Sequence, residues 1–216
     1  MTVSPESTAA AVDPALVAAI RRQEERLARN PSSLAFAQLA DLYRKAGRPR
    51  DAVAVCREGL VRYPQYATAR LILAKALMAA DDLGPAITEV QAILDANAKD
   101  VQAHRLAAEL HRRLGEVDAA VRHLETVAKL DHGDREARTL LGFLRADPAA
   151  GETTGLGRIL CDDVFATESF GALCLDQGCP EEAATVFTRI LRRDPHHPGA
   201  REGLESALRA RLRRKG

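Results

Sequence analysis

Small and apolar residues recur along this chain at helical spacing, and the helical stripes themselves recur at a longer period. Leu39 and Ala40 return as Leu73 and Ala74, then as Ala107 and Ala108, then as Leu141 and Gly142, each pair 34 residues further on. A second register keeps the same step, with Ala52-Val53, Ala86-Ile87 and Ala120-Val121. Between the two registers stand Gly47, Asp81 and Gly115, residue types that tolerate the left-handed backbone ending a helix. The stretch Leu39–Pro64 shows the unit whole: a small-residue helix, a Gly turn, a second Ala-bearing helix and a closing proline. The pattern predicts helical hairpins over 33–66, 67–100 and 101–134. The small residues fall where helices cross, because a larger side chain there would hold the helices apart at about 1 to 3 kcal/mol. Tyr43, Leu77 and His111 share a further register beside each crossing.

Residues 1–13 carry Ser, Thr, Ala and Pro without an apolar stripe and read as disordered. Asp13-Pro14 then marks a helix start, Asp as the cap and Pro in the first turn. The helix Pro14–Arg29 presents Leu16, Ala19, Ile20, Gln23 and Leu27 on one face. It ends at Asn30-Pro31, since the residue before a proline leaves the helical region. Residues 14–32 thus read as an N-terminal capping helix. At the other end a fourth repeat begins over 135–146, but Gly151, Gly155 and Gly157 follow where its second helix is due. Each glycine inside a helix costs about 1 kcal/mol relative to Ala. The next copy sets Gly171 against Gly142 at a spacing of 29, five short of the period. Residues 147–163 are therefore read as an interruption or hinge. A final hairpin over 164–197 has helices near Val164–Gln177 and Pro180–Arg193 turned at Gly178. A capping helix with a basic tail fills 198–216.

The 34-residue hairpin with small residues at both crossings resembles the tetratricopeptide repeat. The similarity extends over about Ala15–Leu212, and its wording is similar to bacterial members of that family. The resemblance implies an all-α fold, a right-handed α-solenoid of helix-turn-helix repeats, here with one interrupted repeat. It also implies a concave groove lined by the first helix of each hairpin, which takes an extended or helical peptide. The groove positions are Asp41, Arg44 and Lys45; Leu71, Lys75 and Met78; Arg105, Glu109 and Arg112; and Phe143 at the broken repeat. Family members that clamp a C-terminal carboxylate use a Lys and Asn pair where this chain has Ala37 and Asp41, so that mode is not expected. Basic residues outnumber acidic ones among these positions, pointing to an acidic or amphipathic segment, with reversal of Arg105 and Arg112 to Glu expected to abolish binding.

Composition narrows the reading further. Hydrophobic residues make up 46% but aromatic residues only 4%, so the core is built from Ala, Leu, Val and Ile. A net charge of +1 gives no global attraction to nucleic acid or anionic membrane. The basic stretch Arg209–Lys215 is the one local exception, and no aromatic residue accompanies it to stack on bases. No apolar run reaches a membrane span and no secretory leader opens the chain, so a cytoplasmic protein is expected.

Cys56, Cys161, Cys174 and Cys179 are expected as reduced thiols. With His196 and His197 they offer possible ligands but no Cys-x-x-Cys spacing, so no metal site is expected. The loop GETTGLGR at 151–158 lacks the Lys-Ser or Lys-Thr pair of a phosphate loop. His104 and His111 lie about 10 Å apart along one helix and read as core residues. Neither a catalytic constellation nor a cofactor motif is present. The expectation is a non-enzymatic scaffold or adaptor that binds a partner protein. One alternative is self-assembly through apolar surface around Phe143, Leu144, Leu156, Ile159 and Leu160, which light scattering would reveal. The other is weak association of the basic tail with nucleic acid or membrane.

Overall fold

The protein is described by a computed structural model, which covers residues 13–30, 34–145 and 166–214. Every regular element among these residues is an α-helix. The expected disordered start and the Gly-rich interruption at 147–163 lie almost wholly outside them. None of the described helices is long and apolar enough to cross a membrane.

Local signals set the helix ends. Helix α1 (Pro14–Arg29) starts where Asp13 accepts the Ala15 amide at 2.9 Å, and proline occupies its first turn. Helices α2 (Ala35–Lys45), α3 (Pro49–Arg62), α4 (Ala67–Ala79) and α5 (Leu83–Ala96) follow. Then come α6 (Val101–Arg113), α7 (Val117–Leu130) and α8 (Arg135–Leu144). After the undescribed segment the chain resumes as α9 (Glu168–Asp176), α10 (Pro180–Arg193) and α11 (Pro198–Arg214). The turns inside the hairpins hold Gly47, Asp81, Gly115 and Gly178 at φ of 72°, 65°, 80° and 72°. These are the four left-handed positions the sequence pattern points to, and Asp81 is the one that carries a side chain.

The chain divides into two compact units, Met1–Glu89 and Val90–Gly216, with the boundary inside α5. In the first, α1 packs on α2, and α2, α3 and α4 pack on one another. Its small-residue positions Ala40, Ala52 and Ala74 are fully buried, and Tyr43 and Leu77 fill the space beside them. Ile20 is the buried anchor of α1, with Leu16, Ala19, Gln23 and Leu27 half-buried on the same face. Phe36 lies against Gly59, stacks on Tyr63 at 6.2 Å and meets Tyr66 edge-on at 5.8 Å.

In the second unit, α6 pairs with α7 and α7 with α8, while α10 packs on both α7 and α8. Helices α9 and α11 flank α10. One apolar core runs through all of them, from Ala108 and Ala120 through Phe143 and Leu144 to Phe187 and Leu204. Phe187 is the wedge of the last three helices: a Cβ on Gly171 of α9 would come within 2.6 Å of its ring, and a Cβ on Gly203 of α11 would overlap it. Glycine at these two sites is a packing requirement, because all three helix backbones converge on one phenyl ring.

Candidate functional site

The expected groove positions fall into four small groups, and their surroundings separate residues that hold the fold from residues that face solvent. In the first unit, Asp41 accepts Arg44 at 2.8 Å and Lys45 at 2.7 Å. Burial alone would raise the Asp41 pKa, but the two cations outweigh it and hold the carboxyl below its usual range. The three residues therefore satisfy one another along one turn of α2. On α4, Leu71, Lys75 and Met78 are half-buried.

In the second unit the predicted cations are engaged. Arg105 pairs with Asp131 at 3.0 Å and with the buried Asp134 at 2.8 Å. Asp134 also caps α8 by accepting the Ala137 amide at 2.9 Å. Arg105 thus ties α6 to the start of the following hairpin. Arg112 is buried at 8% exposure, holds Glu109 of its own helix at 2.7 Å and pairs with Glu205 of α11. Arg113 takes the same Glu109 at 3.2 Å. The positive character expected of this face is largely neutralised by the chain's own carboxylates. Phe143 is 3% exposed and lies beneath the Arg211 guanidinium, 4.9 Å from the ring centre. Leu144 is 1% exposed, so neither residue offers the apolar surface expected for self-assembly. Leu156, Ile159 and Leu160 lie outside the described residues.

What remains open is a cleft of about 440 Å³ within the second unit. Its base is Glu109 and Arg112 of α6. One wall is α8, through Arg135, Thr139, Leu140 and Phe143. The other is α11, through Leu208, Arg209, Arg211 and Leu212. The lining is mainly apolar with charges at the rim, the usual character of a recognition cleft, and its volume lies within the range of ligand sites. Three expected residues, Glu109, Arg112 and Phe143, meet there. The α11 wall was not foreseen, because the sequence ties that helix to nothing in particular. Its attachments are long-range: besides Arg112 to Glu205, Arg201 donates to the Arg113 carbonyl at 3.0 Å, and Arg211 approaches Glu181 at 3.5 Å.

A second polar cluster lies between α6 and α7. His104 contacts the Ala98 carbonyl through Nε2 at 3.1 Å and His123 Nδ1 through Nδ1 at 2.9 Å. His111 holds Glu116 at 2.6 Å, and its ring stacks on His123 at 5.3 Å. The Ala98 carbonyl can only accept, so Nε2 of His104 carries its proton and Nδ1 accepts from His123. Burial, then the neighbouring His111 and His104, push the His123 pKa down to about 4. The sequence reading placed His104 and His111 in the core but did not bring in His123, the partner from the facing helix.

Cys56 and Cys174 are buried as expected and Cys179 is half-buried, while Cys161 lies outside the described residues. Burial raises the Cys56 thiol to about 12, leaving it unreactive. Among the described residues no three His, Cys, Asp or Glu side chains converge as metal ligands.

No curated protein matches the chain by sequence. A family profile described as Tetratricopeptide repeat matches residues 43–110. Among solved structures, a crystal structure of MamA is 18% identical and aligns over 93% of this chain and 91% of its own, with a TM-score of 0.53. A further crystal structure of MamA protein is 20% identical over 90% and 86%, also at 0.53. A tetratricopeptide repeat protein from Parabacteroides merdae ATCC 43184 is 15% identical over 89% and 92%, at 0.55. At such identities the likeness is one of fold. The matched profile, the 34-residue registers and the paired helices agree: residues 43–110 carry tetratricopeptide repeats, and the chain shares the fold of tetratricopeptide repeat proteins.

Proposed function

We propose that the chain is a non-enzymatic scaffold that holds an extended or helical segment of a partner protein against the first helices of its hairpins. The observation that carries this reading is the apolar cleft of about 440 Å³ on α6 and α8, lined by three of the expected groove residues. Tetratricopeptide repeats suit this role because each hairpin presents a helix face on which a partner segment can lie. The half-buried Leu71, Lys75 and Met78 on α4 form a second strip of the same kind. A cytoplasmic setting belongs to the same proposal and rests on the unpaired Cys56, Cys174 and Cys179.

A peptide-display selection against the full chain tests the reading. A selected peptide should bind saturably and lose affinity when Leu140→Glu or Lys75→Glu is introduced. Failure to enrich any peptide, or binding indifferent to every substitution on a first helix, would contradict it.

A further inference from the structure

The cleft of the second unit has a chemical bias that its lining makes readable. Arg112 is taken by Glu109 and Glu205, and Arg211 by Glu181. Arg135 has no carboxylate within ion-pair distance among the described residues, and Arg209 is tied only to a backbone carbonyl, that of Glu205 at 3.3 Å. The one uncommitted acid on the lining is Glu136. Two available cations against one available carboxylate leave the rim positive although the chain as a whole is nearly neutral.

The apolar surface has a direction as well. Leu140 stands on α8 above the buried Phe143, and Leu208 and Leu212 stand four apart on α11, so each helix offers apolar surface to the cleft. Leu212, on the last turns of α11, is 73% exposed. By contrast Ala200, Leu204 and Ala207 of the same helix are at most 1% exposed. Helix α11 is thus anchored by its first half, while its second half stands as a wall with one apolar face uncovered. Two helical ridges with a groove between them are the seat for a third helix.

Resting on the scaffold reading above, we propose that this cleft takes an amphipathic helix of a partner protein whose apolar stripe is flanked by acidic residues. In this account α11 is half of the recognising surface, with Leu208 and Leu212 meeting the apolar stripe and Arg135 and Arg209 meeting the acidic flanks. The charges select the partner and speed its arrival more than they deepen affinity, while Leu140, Leu208 and Leu212 hold it.

Two dye-labelled synthetic helices of roughly five turns, or about 27 Å, provide the probe. Both carry leucine on one stripe; one is flanked by Glu, the other by Lys. Fluorescence anisotropy with the full chain should show the Glu helix preferred by about tenfold, the preference shrinking as salt screens the charges. The double variant Arg135→Glu/Arg209→Glu should reverse the preference. It changes two exposed side chains, and an unchanged melting curve would verify that it folds. Leu212→Ser should weaken both helices alike. Equal binding of the two probes, no binding of either, or a preference that survives the double reversal would overturn the assignment. A peptide from display selection that binds through α4 while these probes do not would leave the scaffold reading standing and this cleft assignment refuted.

Discussion

Gly47 and Gly115 hold the same left-handed turn in different surroundings, and the difference predicts different costs for one methyl group. A Cβ on Gly47 would meet nothing within 4 Å, so Gly47→Ala bears only the left-handed strain of about 1 to 2 kcal/mol. A Cβ on Gly115 would overlap the Pro195 carbonyl oxygen and come within 3.1 Å of Leu191. Gly115→Ala should therefore lose a further 1 to 3 kcal/mol or so by overpacking. Urea unfolding of the two variants checks this, and equal losses would show that the α10–α11 turn does not press on Gly115. The turn positions were legible because glycine and aspartate at a fixed register have few other uses. Pro195 beside Gly115 was not, since the two stand eighty residues apart with nothing in the sequence to join them.

At the level of elements, the ion pairs that engage the expected cations of α6 explain how α6, α7 and α8 are held. Asp100 and Asp134 stand 34 apart and cap α6 and α8 by accepting Ala103 and Ala137 amides, each at 2.9 Å. Their shared register could have been read from the sequence as a capping signal. What could not be read is that Arg105 folds onto Asp134 and Asp131, because the pattern tells only which helix face it occupies.

Arg105→Glu would set three carboxylates together and should cost about 2 kcal/mol or more in chemical denaturation, with Arg105→Gln costing less. A charge-reversed variant of native stability would contradict the clamp. It follows that lost binding in Arg105→Glu would report on folding and not on a partner.

The histidine row gives the same elements a pH dependence. His123 titrates near 4 in the folded chain, against an ordinary value near 6.5 once unfolded, so the unfolded state takes up the proton first. The associated stability is complete above about pH 6.5 and is lost progressively as pH falls toward 4. For a half-exposed ring, screening reduces the effect to the order of 1 to 2 kcal/mol. Melting temperatures measured from pH 7 to 4.5 should fall by several degrees, and less so in His123→Gln, whose amide can still serve His104. Identical slopes would remove His123 from the account.

For the molecule as a whole, the period of the repeats determined most of what could be known in advance. Helices α1 and α10 begin and end where their prolines and flanking residues indicate, α11 begins at Pro198, and α2 to α8 keep the 34-residue step. The step tells which residues face a neighbouring helix, since it repeats short-range packing. It is silent on what happens once the period breaks. After the interruption α10 packs on both α7 and α8, and α11 reaches the C-terminal end of α6 through Glu205 and Arg201. The cleft owes its second wall to those contacts, so half of the candidate site was invisible to a rule built on periodicity.

The central claim is that a partner segment lies between α8 and α11. Hydrogen exchange of the full chain, with and without a display-selected peptide, tests it directly. Protection concentrated in residues 135–144 and 204–213 is the predicted result. Protection confined to α7 and α10, or absent from both walls of the cleft while the peptide is bound, would contradict it.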